Sequence, residues 1–408
     1  MNFRKIIFLL FIAFTTILQA QEPVISYKLY GFIGNDFSYN SRQNVESLDG
    51  LFHIYPKPIT LNSANHDTNA TPQAEMLSIN TRIGLDINGM DMLGAHSSAK
   101  IESDFSGFGN NFYVLRIRQA YAKLNWEKTE LLIGQTWHPL FGSVSPGTFS
   151  LNAGAPFQPF NRSPQIRLRY NLSSSLTMIA AALYQMQNTS TGPIGPSASY
   201  LKNAVLPNVF LGTEFKTTHW ISGAGVDLKT IKPEINNINN ITSGSAVIYT
   251  QYVDPMFKLK AKALWGENLS DQVMLSGYGV SGTDSMGVNS YTNFNIVSTW
   301  INAVYGKTWQ VGAFIGLSQN MGTNKQLTAN VNGKFTAYGT GFYPDNQLLI
   351  DRLIRIAPIV SYNLPNLKFG LEYDFTMAVF GTLQSNGQVN NPYAVNNHRI
   401  IASMGYFF

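Results

Sequence analysis

The 408-residue chain contains no cysteine, which excludes a disulfide scaffold and a lipid-modified cysteine near a mature N-terminus. Charge is scarce as well. Asp, Glu, Lys and Arg make up 12% of the residues, about half the roughly 25% usual in soluble domains. Beyond the first twenty residues no apolar run approaches the roughly 18 residues of a helical membrane span, so helical spans are excluded. The six histidines, His53, His66, His96, His138, His219 and His398, are scattered and show no HExxH or related metal spacing. No metal or other cofactor is therefore indicated and no enzyme is expected, although a Ser and His pair assembled in space stays open from sequence alone.

The first residues, MNFRKIIFLLFIAFTTILQAQEP, place Arg4 and Lys5 before an apolar run from Ile6 to Phe14 and small Ala20 before Gln21. That is the pattern of a secretory signal peptide cut after Ala20. An uncleaved anchor is disfavoured, because the largely apolar core from Ile6 to Leu18 falls short of the roughly 20 residues that span a bilayer. Removing residues 1–20 lowers the formal net charge from +5 to +3, a balance that names no partner. Aromatic residues reach 13%. An exported, weakly charged, aromatic-rich chain without helical spans points to an all-β fold, a transmembrane antiparallel β-barrel over residues 21–408. Only helices and closed barrels satisfy every backbone group in lipid.

Strand-period segments fall at 27–39, 75–88, 95–105, 112–126, 130–138, 164–172, 175–186, 206–216, 219–231, 244–254, 256–266, 290–304, 308–318, 348–362, 366–380 and 397–408. Short turns such as NGMDMLG, EKT, SSS, DPM, YGKT and LPN join them on one side. Long loops near 40–74, 139–163, 187–205, 267–289, 319–347 and 381–396 join them on the other. This alternation is the topology of an outer-membrane barrel, and the even count leaves both termini in the periplasm. In LKFGLEYDFTMAV, Leu367, Phe369, Leu371, Tyr373, Phe375, Met377 and Val379 share one face, with Lys368, Glu372, Asp374 and Thr376 opposite. In LSINTRIGLDIN, Leu77, Ile79, Ile83, Leu85 and Ile87 oppose Ser78, Asn80, Arg82 and Asp86. A soluble β-sandwich alternates similarly, but it leaves the leader, the alternating loop lengths and the C-terminus without a common cause.

The chain ends NHRIIASMGYFF, with Ile400, Ala402, Met404, Tyr406 and terminal Phe408 on one face. This ending resembles the assembly signal of bacterial outer-membrane proteins, which implies the barrel assembly machinery as a partner. Three further stretches, LYGFIGNDF, TRIGLDINGMDMLGAHSSAKIESDF and RQAYAKLNWEKTELLIGQTW, resemble the opening hairpins of Gram-negative general diffusion porins. RIRQAY and LLIGQTW look most like the DcaP-like branch. The resemblance covers roughly residues 29–172 and implies a 16-stranded trimeric barrel in the outer membrane, in contact with lipid and lipopolysaccharide and with no nucleic-acid partner. It also implies that the third external loop, here PLFGSVSPGTFSLNAGAPFQPFNRS at 139–163, folds inward and narrows a channel for small hydrophilic solutes. Many general porins carry carboxylates on that loop; this one has no acid and contains Arg162.

Candidate pore-lining residues follow from face and charge. Arg116 and Arg118 are expected on one face with Ala120 and Ala122, opposite Leu115, Ile117 and Tyr121. An arginine facing lipid at mid-membrane would cost about 2–4 kcal/mol. Arg82, Arg167 and Arg169 pass the same test, Lys258, Lys260 and Lys262 form a second basic row in FKLKAKALW, and His138 stands at the root of the inward loop. A basic ladder concentrates anions. Asp86, Glu102 and Asp104, with Glu372 and Asp374, are also expected inside and can instead pair with the arginines as scaffolding. Both readings stay open at this point, as does a non-conducting barrel serving as a hydrolase or a secretion or structural scaffold.

Overall fold

The computed structural model describes residues 25–47, 52–107, 114–150 and 154–408; the expected signal peptide at 1–20 lies outside the described residues. Sixteen barrel strands run in chain order: β1 (Ser26–Asn40), β2 (Arg82–Met92), β3 (Ala95–Asp104), β4 (Arg116–Asn125), β5 (Thr129–Trp137), β6 (Arg162–Asn171), β7 (Leu176–Leu183) and β8 (Asn208–Lys216) form the first half. The second half is β9 (Trp220–Ile231), β10 (Ile241–Val253), β11 (Phe257–Glu267), β12 (Asn289–Gly306), β13 (Trp309–Thr323), β14 (Leu348–Asn363), β15 (Leu367–Leu383) and β16 (Val389–Phe407). Each pairs antiparallel with the next. The sheet closes where β1 meets β16, in register from Phe32↔Phe407 to Asn40↔Arg399. Closure removes the exposed edge that an open sheet would present.

The short turns are built to bend the chain at once. Between β2 and β3, Leu93 at φ 54° and Gly94 at φ 70° supply two consecutive left-handed residues, the requirement of a two-residue hairpin that follows the sheet twist. On the opposite rim, short strands such as Gln73–Leu77, Ser276–Thr283 and Ala337–Thr340 extend the wall.

The two faces of the barrel carry opposite chemistry. Large apolar side chains including Ile117, Ile133, Ile166, Leu211, Val226, Ile248, Ile301 and Ile356 are exposed on the outside, while Arg118, Glu214, Asp227, Lys262, Arg355, Asp374 and Arg399 are buried inside. This inverts a soluble protein, and it suits lipid outside with a polar interior. Tyr170, Phe215, Trp220, Tyr305, Trp309, Phe369 and Tyr406 are exposed near the short-turn ends of their strands, where an interfacial aromatic girdle belongs.

Three expectations need correction. The segment 381–396 is not a long loop: β15 and β16 continue outward until a tight turn over Gln384–Gln388, paired as far as Leu383↔Val389. Its Asn, Gly and Gln content suggested a loop, but a strand that rises beyond the apolar band of the wall has no need of apolar alternation. The segment 75–88 is broken, with Gln73–Leu77 separated from β2 by Ser78–Thr81. Ile79 is consequently 6% exposed and Ile83 is 45% exposed, so they do not share a face. Finally, β4 carries a bulge: Glu102 pairs with Gln119 while Ser103 pairs with Ile117, leaving Arg118 as the extra residue. Arg116, Arg118 and Gln119 all turn inward, and the face inverts beyond them. Ala122 is exposed outside and Tyr121 stays half-buried inside, the reverse of a regular period-2 reading.

Candidate functional site

The arginines of β4 are paired. Arg116 holds Asp104 by two bonds, Nε to Oδ1 at 2.7 Å and Nη2 to Oδ2 at 3.0 Å. Arg118, brought alongside by the bulge, donates from Nε to Glu102 Oε1 at 2.7 Å and from Nη1 to Asp104 Oδ2 at 2.6 Å. Arg82 approaches Glu102 at 3.9 Å and lies over the Phe32 ring, and Tyr30 donates its hydroxyl to Glu102 Oε2 at 3.0 Å. Three guanidiniums thus share two carboxylates. Arg169 pairs with Glu214 at 2.7 Å, and Asp86 with Lys100 at 2.8 Å. Arg167 is half-buried beside them and makes no ion pair among the described residues.

The described parts of the loop after β5 are tied to the barrel wall at several points. It starts at His138, whose Nδ1 accepts from the Leu140 N–H at 3.2 Å and caps the turn Pro139–Phe141. From there Ser143 donates to Glu214 on β8, and Lys262 on β11 donates to the Phe141 carbonyl. Lys260 donates to the Ser145 carbonyl at 2.9 Å. The Gly147 N–H meets Asn302 Oδ1 on β12 at 2.9 Å, and the Phe149 N–H meets Glu372 Oε2 on β15 at 2.6 Å. Trp300 Nε1 donates to Gln158 Oε1 at 2.9 Å. Where Phe157 lies against β13 the wall residue is Gly316, whose place a side chain would contest with the ring. At the loop's end the buried Arg162 guanidinium stacks on Trp137 at 3.9 Å and donates to Gln187 Oε1 at 2.9 Å.

A second loop element takes part that sequence reasoning placed in an ordinary external loop. The hairpin Asn44–Ser47 with Phe52–Pro56 has all five residues of its second strand buried, and Phe52 meets Phe160 edge to face at 5.0 Å. Arg355 on β14 joins both loops. Its Nη1 donates to the Ala155 carbonyl at 3.0 Å, and its Nη2 donates to the Ile54 carbonyl at 2.8 Å and faces His53 Nδ1 at 3.1 Å. Nε donates to Thr376 Oγ1 at 2.8 Å and sits 3.2 Å from Asp374 Oδ2. Burial and then the Arg355 charge lower the His53 imidazole to about 4, so the ring is neutral. Arg355 left a signal in the sequence, a cation alternating with Ile354 and Ile356 as Arg116 and Arg118 alternate with Leu115 and Ile117. His53 left none beyond a histidine within an apolar run.

Two cavities flank the long loop. One of about 460 Å3 opens toward the long-loop rim and is lined by Phe52, Ile54, Arg116, Phe160, Gln187 and Val273 among others. The other, about 150 Å3, lies toward the short-turn rim and is lined by Lys258, Lys260, Lys368, Thr148, Asn302 and Ser361 among others. The Lys258–Lys260–Lys262 row therefore divides: Lys260 and Lys262 hold loop carbonyls, while Lys258 makes no hydrogen bond or ion pair among the described residues.

No protein-family model and no curated protein matches the chain. Solved structures do. The outer membrane channel DcaP of Acinetobacter baumannii superposes with a TM-score of 0.70 at 18% identity, covering 94% of this chain and 97% of that one. The fold is that of the outer-membrane porins. OmpT of Vibrio cholerae, a loop L8 deletion mutant, gives a TM-score of 0.55 at 10% identity over 94% and 99% of the two chains. OmpF of Salmonella typhi, in complex with daunomycin, gives 0.51 at 13% over 94% and 97%. In this porin fold the loop after β5 is the third on the long-loop side, and the hairpin before β2 belongs to the first.

Proposed function

We propose that the protein is an outer-membrane porin, a water-filled channel through which small hydrophilic solutes diffuse, with a preference for anions. The observation that supports this best is a closed barrel whose inner face is charged, carrying a long loop hydrogen-bonded to that face at β8, β11, β12, β14 and β15. On this reading the third loop folds inward and, with the first-loop hairpin, forms the constriction. The residues expected to line the pore then have different tasks. Arg82, Arg116, Arg118, Arg169, Asp86, Glu102 and Asp104 form a nearly neutral paired wall that orients solutes by dipole more than by net charge. Arg162 and His138 shape the loop's two ends. Arg167 and the lysines supply the anion attraction.

The leader implies export, and Tyr406 and Phe408 on the outer face of the last strand suit recognition by the barrel assembly machinery. Lipid and lipopolysaccharide contact the apolar outer face, and a homotrimer is proposed by analogy with OmpT of Vibrio cholerae, solved in a trimer form. Planar-bilayer recording of the purified protein tests the reading. Discrete channels with an anion-favouring reversal potential are expected; absence of channels would overturn the porin reading, and a cation-favouring potential the anion preference.

A further inference from the structure

We infer that the smaller cavity is a binding site for a compact, multiply charged oxyanion of the phosphate class, an inference that rests on the porin reading and deepens it. Lys258 and Lys260 reach it from β11 and Lys368 from β15, four strands and about a quarter of the barrel's circumference away, so the cavity is approached by cations from separate strands. No carboxylate lies within ion-pair distance of any of the three among the described residues, whereas the arginines of β4 on the other side of the loop are matched by Glu102 and Asp104.

The nearest candidates for neutralisation are engaged elsewhere. Glu372 accepts the Phe149 N–H, and Asn302 spends both ends of its amide, accepting from Gly147 and donating to the Ala313 carbonyl. Lys260 uses one N–H on the Ser145 carbonyl, and Lys368 lies over the Phe149 ring at 4.8 Å. Lys258 has no hydrogen-bond or ion-pair partner among the described residues. A second observation is independent of the charges: Thr148 lines the cavity from the loop, and its buried Oγ1 has no hydrogen-bond partner among the described residues.

Three cations gathered in a narrow, partly desolvated space repel one another, and an anion between them relieves that repulsion. The geometry favours a tetrahedral oxyanion over a planar carboxylate. An ammonium is a compact point charge suited to approach from separate directions, and this cavity contains no guanidinium fork to match a carboxylate edge. A cavity of about 150 Å3 has room for such an ion with a few waters, each water taking about 30 Å3 in the liquid.

The test uses inorganic phosphate as the probe, in two measurements. Calorimetric titration of the detergent-solubilised protein should show saturable binding, weakened roughly tenfold or more in Lys258→Gln and in Lys368→Gln, since a hydrogen bond to a charged group is worth about 1.5–3 kcal/mol. In bilayers, phosphate should block chloride current saturably, with the same ranking of variants. Saturable binding without channels would keep the site and overturn the porin reading. Channels whose chloride current phosphate reduces only linearly, with no lysine-dependent binding, would keep the porin and overturn the site, as would a succinate affinity equal to that for phosphate.

Discussion

Replacing Arg355 by methionine tests the idea that one side chain holds two loops in place. The side chain is buried and makes bonds to the Ala155 carbonyl, the Ile54 carbonyl, His53 and Thr376, besides its ion pair with Asp374. Methionine nearly fills the volume, so the loss is one of charge and hydrogen bonds. Asp374 keeps the Thr376 hydroxyl at 2.6 Å and His53 at 3.7 Å, but breaking its buried ion pair by removing the guanidinium costs about 3–5 kcal/mol. The barrel does not absorb that cost by unfolding, because β14 stays paired to both neighbours over ladders running from Trp309↔Tyr362 to Gln319↔Arg352 and from Leu348↔Thr382 to Asn363↔Lys368. Release falls instead on the loops, whose detached state should rise by roughly a hundredfold to a few thousandfold. Single-channel recording should then show larger mean conductance, added open-channel noise and passage of larger neutral solutes. The double variant Arg355→Met with Asp374→Asn, which removes both charges, should recover much of the quiet wild-type behaviour. Unchanged conductance, noise and size limit in Arg355→Met would refute the role assigned to this residue.

Other expectations follow from the same contacts. Glu102→Gln with Asp104→Asn frees Arg82, Arg116 and Arg118 from their partners and should move the reversal potential toward anions by a measurable step; no shift would mean that these arginines do not face the permeation path. The His53 ring titrates at about 4 in place and near 6.5 when exposed, so its docked hairpin is favoured by the neutral form. That stability is complete above pH 6.5 and declines as pH falls from 6.5 toward 4, by about 3 kcal/mol at most. Channel noise should rise over that window in the wild type and stay flat in His53→Gln. Gly370→Ala would put a methyl group where the Phe149 ring now lies, displacing the loop segment over the lysine cavity; weaker phosphate binding with an unchanged melting profile is the expected pair of results, read by calorimetry and circular dichroism.

Much of this architecture was legible in the residues. Sixteen alternating segments, short turns on one side and an apolar C-terminal strand located most barrel strands to within a few residues, because an apolar outer face and a polar interior impose a period of two along the banded part of the wall. Period-2 reasoning also placed Arg82, Arg116, Arg118 and Arg169 on inward faces, and named Glu102 and Asp104 as groups that could occupy Arg116 and Arg118. Where the wall rises beyond its apolar band, as in β15 and β16, that constraint lapses and strand looked like loop. At Arg118 a single bulge inverted the face of Tyr121 and Ala122, since one extra residue shifts a period of two by half its length.

Tertiary structure alone decided which cations are spent and which remain. Lys258, Lys260 and Lys262 look alike on one strand, yet two are tied to carbonyls of a loop more than a hundred residues earlier and the third lines a cavity with Lys368 from a strand four places further round the barrel. The burial of His53 and the two-loop grip of Arg355 have the same origin. Local alternation reports which face a side chain takes, but its partner across the barrel is fixed by closure and loop packing, long-range events that no local spacing encodes.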